Sequence, residues 1–199
     1  MSRRAPQRRF RSFFSLSPFA MNRLLRVAVP LALLLGQCQK KEAAPARPED
    51  QLPPATQTEA NTFGCLLNGQ PWTPRGSNGT DNYKVIYDAG YAGGSLDIRA
   101  YRYPPGQTDN QYIGMGGAPI AKPGIYSLDG TTAGVYYSSG IKGPCFEYYN
   151  APGLVMKGQL TVTRLDLRAG IVAGTFAFTL SQPGCDTVKV TQGRFDKKL

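Results

Sequence analysis

The residues of this chain that could do chemistry are few, and their types exclude more than they admit. The 199-residue sequence contains no histidine. A Ser-His-Asp or Cys-His nucleophile and an imidazole-ligated metal centre are therefore excluded. Cysteines stand at positions 38, 65, 145 and 185. None forms a C-x-x-C pair, so neither a zinc ribbon nor a thioredoxin-type redox pair is supported, and no metal or cofactor is expected. Arg164, Asp166, Arg194 and Asp196 place two acids beside two bases. Each Arg–Asp couple is spaced i, i+2, which puts both members on one face of a strand. A catalytic carboxylate pair would also need a raised pKa and a cleft. Charge pairing between the two strands, worth under about 1 kcal/mol when exposed, is the plainer expectation.

Tyrosine is the other chemically informative type. All eleven tyrosines lie between Tyr83 and Tyr149. Within 95–103, Leu96, Ile98 and Ala100 alternate with Asp97, Arg99, Tyr101 and Tyr103. Period-two alternation assigns the first set to a core and the second to a solvent-facing side. Asp97, Arg99, Tyr101 and Tyr103 form the candidate binding surface. Aromatic rings with a polar tip suit an envelope glycan, a peptide or a protein partner. They also suit ordinary sheet surface, where cross-strand aromatic packing is favoured.

The formal charge of +10 invites a nucleic-acid reading, but its distribution removes it. Seven arginines precede Cys38 and no acid occurs before Glu42, so loss of that leader leaves +3. So small a charge offers little steering toward a phosphate backbone, and no nucleic-acid partner is expected. The arginines instead belong to an export signal. Arg23 and Arg26 precede the apolar stretch 27–36, a signal-peptide layout too short for a bilayer span of roughly 20 residues. Residues 1–20 are Arg- and Ser-rich, and Met21 is an alternative true start.

Leu35-Gly36-Gln37-Cys38 resembles the lipobox of bacterial lipoproteins, with Gln37 standing where a small residue is usual. The resemblance implies lipidation of Cys38, whose several acyl chains would hold the mature protein to a membrane. Residues 1–37 then form a leader. Residues 38–61, polar and proline-rich, read as the lipidated cysteine followed by a disordered tether.

From Thr62 to Leu199 the pattern is all-β, in about ten short strands with little helix. Asn68-Gly69 is a strong hairpin signal after Phe63–Leu67. Further strands are expected at 83–88, 95–103, 111–115, 125–128, 135–138, 146–149, 158–166, 171–180 and 187–196, with Gly, Pro, Asn or Asp between them. Val172, Gly174, Phe176, Phe178 and Leu180 share one face, against Thr175, Ala177 and Thr179 on the other. Val188 and Val190 are out of phase with Phe195, and a bulge at Gln192-Gly193, using glycine's tolerance of positive φ, would restore the register. The architecture expected is an antiparallel β-sandwich or a flattened barrel. Export to an oxidising compartment favours a disulfide. Cys145 and Cys185 both sit in Gly/Pro turns and are the expected pair, whereas Cys65 lies in an alternating strand and reads as a small buried hydrophobe.

Residues 63–72 (FGCLLNGQPW), together with 160–166 (LTVTRLD), 174–178 (GTFAF) and 191–196 (TQGRFD), resemble an uncharacterised family of secreted bacterial lipoproteins, a domain of unknown function. The resemblance implies a fold and carries no catalytic or binding residue. The functional expectation is a non-catalytic, lipid-anchored envelope protein, at the outer membrane and periplasmic or surface-facing, with a β-rich binding or structural domain. A histidine-free hydrolase, possibly glycan-directed, and a secreted inhibitor of a partner enzyme are the alternatives.

Overall fold

The Asn68-Gly69 turn sets the first hairpin. Both residues take positive φ, 49° and 79°, the geometry of a two-residue type I′ loop. In the computed structural model, which describes residues 47–106 and 110–199, this turn joins β1 (Thr62–Leu67) to β2 (Gln70–Trp72). There follow β3 (Tyr83–Asp88), β4 (Ser95–Arg102), β5 (Gln111–Gly117), β6 (Gly124–Ser127), β7 (Ala133–Ser138) and β8 (Glu147–Tyr148). The longest strands close the chain: β9 (Val155–Asp166), β10 (Ile171–Ser181) and β11 (Val188–Lys198). The leader, the alternative start at Met21 and Cys38 lie outside the described residues.

These strands form a sandwich of two antiparallel sheets. One has the order β2-β1-β11-β10-β9-β6 and the other β3-β4-β5-β7-β8. The core lies between them. Phe63, Trp72, Phe176, Phe178 and Phe195 enter from the six-stranded sheet, and Leu96, Ile98, Ile113 and Val135 from the five-stranded one. On β10, Phe176 and Phe178 are buried while Thr175 and Ala177 are exposed, as the alternation predicts. Cys65 is fully buried, and the Cys145–Cys185 disulfide is present, with Cα atoms 5.6 Å apart. It ties the loop before β8 to the β10–β11 turn, and so links the two sheets.

Three expectations need correction. The bulge on β11 exists, since Phe176 pairs with Gly193 but Phe178 with Val190. Its left-handed residue, however, is Gln192 (φ 54°). Gly193 serves close approach instead, because a Cβ there would lie 2.4 Å from the Phe176 ring. Val188, Val190 and Phe195 are all buried as a result.

The pairing of Arg164 and Asp166 with Arg194 and Asp196 across two strands does not form, because β10 separates β9 from β11. Arg164 pairs with Asp166 along its own strand, at 3.0 Å.

The disordered tether expected over 38–61 is corrected for its described part, residues 47–61. Residues 47–61 start with a 3-10 turn, Pro48–Gln51, and then strap across the outer face of the six-stranded sheet. Leu52 is buried, and Pro53 fills the space a side chain at Gly64 would need. The Arg164 guanidinium donates to the Gln57 carbonyl (2.7 Å) and that of Arg194 to the Pro53 carbonyl (3.2 Å). The strap's main anchor is Asp196, whose fully buried carboxylate accepts from the Thr56 hydroxyl (2.7 Å) and the N–H groups of Thr58 (2.8 Å), Glu59 (3.1 Å) and Ala60 (3.2 Å). Glu59 at φ 64° helps turn these successive N–H groups onto one anion, a backbone nest. Burial alone would push the Asp196 carboxyl up; the four hydrogen bonds outweigh it and hold the group below the usual carboxylate range. Prolines and polar residues, which read as tether from composition, are here held by backbone hydrogen bonds to side chains of the sheet.

Candidate functional site

The outer face of the five-stranded sheet is built by period two. Asp97, Arg99 and Tyr101 on β4 point away from the core, opposite Gly116, Gly114 and Tyr112 of β5. Gly114 and Gly116 in turn lie opposite Tyr136 and Gly134 of β7. Two features result: a strip of tyrosine rings, and beside it a floor without side chains.

The strip runs Tyr103, Tyr101, Tyr112, Tyr136, Tyr149. Successive ring centroids are 5.7, 4.6, 4.9 and 5.0 Å apart, within the range of attractive aromatic contact. Tyr149 is 54% exposed, whereas Tyr101, Tyr112 and Tyr136 are half-buried by one another. Burial first, then hydrogen bonding to Glu147, pushes the Tyr136 phenol up to about 12. Burial, with the adjacent Tyr101 and Asp97, raises that of Tyr112. Both are neutral hydroxyls at ordinary pH, able to donate and accept.

The floor opens into a groove of about 960 Å³ lined by Gly114, Gly116 and Gly134, with Tyr112, Tyr136 and Tyr149 on one side and Asp97, Asp129 and Asn150 among its polar groups. The glycines differ in what they do. At Gly114 a Cβ would strike the Tyr112 hydroxyl at 2.3 Å, so this glycine lets the ring lie over the sheet. At Gly134 a Cβ would sit in ordinary van der Waals contact with Gly130 Cα and Met156 Sδ, both 3.9 Å away, so a methyl group would fit there without a clash. A smaller depression of about 410 Å³ lies across the strip, and Tyr112 and Tyr136 border both.

The groove's acids have defined partners. Arg99 Nε donates to Asp97 at 2.9 Å. The Thr131 hydroxyl and N–H donate to Asp129 at 2.6 and 2.9 Å and hold its carboxyl below the usual range. Behind the sheet, Trp72 Nε1 donates to Gln111 at 2.7 Å, and the Arg102 guanidinium sits 5.0 Å from the Trp72 ring. These contacts pin β4 and β5 to β2, so the face rests on a fixed support. Among the described residues, no group of three or more Cys, Asp or Glu could hold a metal ion.

Of the four residues that the alternation on β4 singles out, Asp97, Arg99 and Tyr101 lie on this face. Tyr103 does so too, but beneath a cover, and the expectation of a ring beside water is corrected. It is only 9% exposed. The segment after β2 returns over it, with Arg75 bridging to Arg102 and Gly76 so close that a Cβ would lie 2.2 Å from the Tyr103 carbonyl. Sequence reading missed Tyr112, Tyr136, Tyr149, Asp129 and the glycine floor. One signal was available: Tyr112-x-Gly114-x-Gly116 places a ring and two bare positions on one strand face. Cys65 is not a nucleophile in waiting, because burial pushes its thiol up to about 12.

Comparison with protein-family models, with curated proteins and with solved structures finds no match to this chain. The likeness to a family of secreted lipoproteins rests on the quoted motifs alone.

Proposed function

We propose that this chain is a lipid-anchored bacterial envelope protein whose β-sandwich binds a ligand through the tyrosine face of the five-stranded sheet, without catalysing a reaction. The observation that carries the binding role is the tyrosine strip beside an open, glycine-floored groove. An ordinary solvated sheet face fills its positions with side chains; this one carries Gly114, Gly116 and Gly134 along the groove and keeps Tyr149 exposed at the rim. Rings packed on one another lose little freedom on contact, which lowers the entropy cost of binding. The Thr131 hydrogen bonds that hold Asp129 low do not suit it to act as a general acid, which needs a raised pKa.

The anchoring half of the proposal rests on the sequence around Cys38. Labelled fatty acid should enter the full chain and not Cys38→Ala, which should also leave the membrane fraction. The binding half is tested on residues 45–199, which form one compact unit with its own core and lack the anchor. This domain should sediment with isolated bacterial envelopes, and Tyr136→Ala/Tyr149→Ala should stay in the supernatant while still melting cooperatively. Equal sedimentation of both would place any binding surface elsewhere.

A further inference from the structure

Given that binding role, on which this inference rests, we infer that the groove takes an uncharged saccharide chain. Charge narrows the ligand first. Among the described residues no lysine or arginine lines the groove. Arg99, opposite Gly114 at its border, is engaged by Asp97, and Asp129 has only the Thr131 hydroxyl and N–H as partners, so phosphates, uronic acids and other anions meet a carboxylate there. Shape narrows it next. A pyranose ring is broad and flat, with C–H groups on its faces and hydroxyls around its edge. The faces fit against the rings of Tyr112, Tyr136 and Tyr149; the bare backbone at Gly134 leaves room for the sugar to settle between the walls.

The hydroxyl edge then meets groups of the right kind. The carboxylates of Asp97 and Asp129 accept hydrogen bonds, the Asn150 amide can donate and accept, and the neutral Tyr136 phenol does both. A peptide recruited by strand addition would need a sheet edge. Beside the groove β7 is paired with β5, and with β8 only at Tyr137 and Ser138; the Val135 N–H on its other edge is already taken by Met156 Sδ at 3.2 Å. The second depression, sharing Tyr112 and Tyr136 with the first, makes the tyrosine pair a ridge that a chain could cross, with sugars on either side.

The test uses residues 45–199 with neutral hexasaccharides (cellohexaose, maltohexaose and chitohexaose) and an oligogalacturonate as the anionic control, measured by calorimetry. At least one neutral hexasaccharide should bind and the oligogalacturonate should not. Gly134→Leu, whose side chain would extend past Gly130 and Met156 into the groove, and Tyr149→Ala, at an exposed ring, should each weaken binding at least tenfold in a domain that still melts cooperatively. In parallel, envelopes treated with periodate and lysozyme should lose their capacity to sediment the domain, and protease-treated envelopes should keep it. Should protease abolish sedimentation while the glycan-stripping treatment leaves it intact, and the tyrosine variants still matter, the ligand is a protein; the saccharide inference is then overturned and the binding face stands. Tyrosine-independent sedimentation overturns both. Tighter binding of the oligogalacturonate than of every neutral hexasaccharide overturns the charge argument directly.

Discussion

Removing the Asp196 carboxylate should release the N-terminal strap while leaving the sandwich folded. In Asp196→Ala, three backbone N–H groups (Thr58, Glu59, Ala60) and the Thr56 hydroxyl lose their shared acceptor. Hydrogen bonds to a charged group contribute roughly 1.5–3 kcal/mol each when the freed donor stays buried. Four such losses would exceed the stability of many domains, but the strap has an escape, since undocking returns its donors to water. The cost is therefore capped by the docking energy of residues 47–61, and about 3–5 kcal/mol is expected, the usual range for a broken buried charged contact. Asp196→Asn is milder. Its oxygen can keep the Thr56, Thr58 and Ala60 bonds made to Oδ2, while its amide N–H₂ would face the Glu59 N–H that Oδ1 now accepts. The sign with pH follows from the depressed pKa of the folded state: the stabilisation is present above the unfolded value of about 3.9 and disappears as pH falls through the lower folded value. Urea denaturation between pH 2 and 7, with hydrogen exchange read at Thr58, Glu59 and Ala60, tests both. Wild type should lose stability below about pH 4 more steeply than Asp196→Asn. Unchanged exchange at those three amides in Asp196→Ala would refute the nest as the strap's anchor.

Two further outcomes concern stability. Cys145→Ser/Cys185→Ser removes a cross-link across 40 residues, worth about 4 kcal/mol in the chain-entropy model; chemical denaturation should register that loss, and Cys65→Ala should neither mimic it nor change the non-reducing peptide map. Tyr103→Ala should cost roughly 2–3 kcal/mol, because the residue is buried and its ring stacks on that of Tyr101, whereas Tyr149→Ala, 54% exposed, should stay within about 0.5 kcal/mol of wild type in the same assay.

Much of the fold was legible because two local signals agreed along the chain. Alternation marked β3 at Tyr83–Asp88 to the residue, and turn residues separated nearly every strand from the next. Alternation states which side chains share a face; it does not say which strand lies alongside. That β6 borders β9, while β7 leaves for the other sheet, depends on long-range packing that no short window contains. The same limit explains the site. Asp97, Arg99 and Tyr101 follow from one strand's own period. The strip they belong to needs the register Tyr101–Tyr112 and Gly114–Tyr136, a relation between strands. Tyr103 was misplaced because its cover comes from a segment more than twenty residues earlier in the chain. The strap was misread because its partners are the side chains of Arg164, Arg194 and Asp196, more than a hundred residues away.

The strap also changes what an anchor at Cys38 would allow. Residues 47–61 are docked on the six-stranded sheet, so while the Asp196 nest holds they add nothing to the reach of such an anchor. The strap lies on the outer face of the six-stranded sheet, since its hydrogen bonds run to β9 and β11, and the tyrosine groove lies on the outer face of the other sheet. The two occupy opposite sides of the sandwich. Tension applied through the strap would thus be taken by the six-stranded sheet, whereas the groove's glycine floor belongs to the five-stranded one. Release of the Asp196 nest would lengthen the free segment without touching the groove, so reach and ligand affinity should vary independently. An Asp196→Ala chain that bound its ligand less well at unchanged groove geometry would mean that the two faces are coupled through the core.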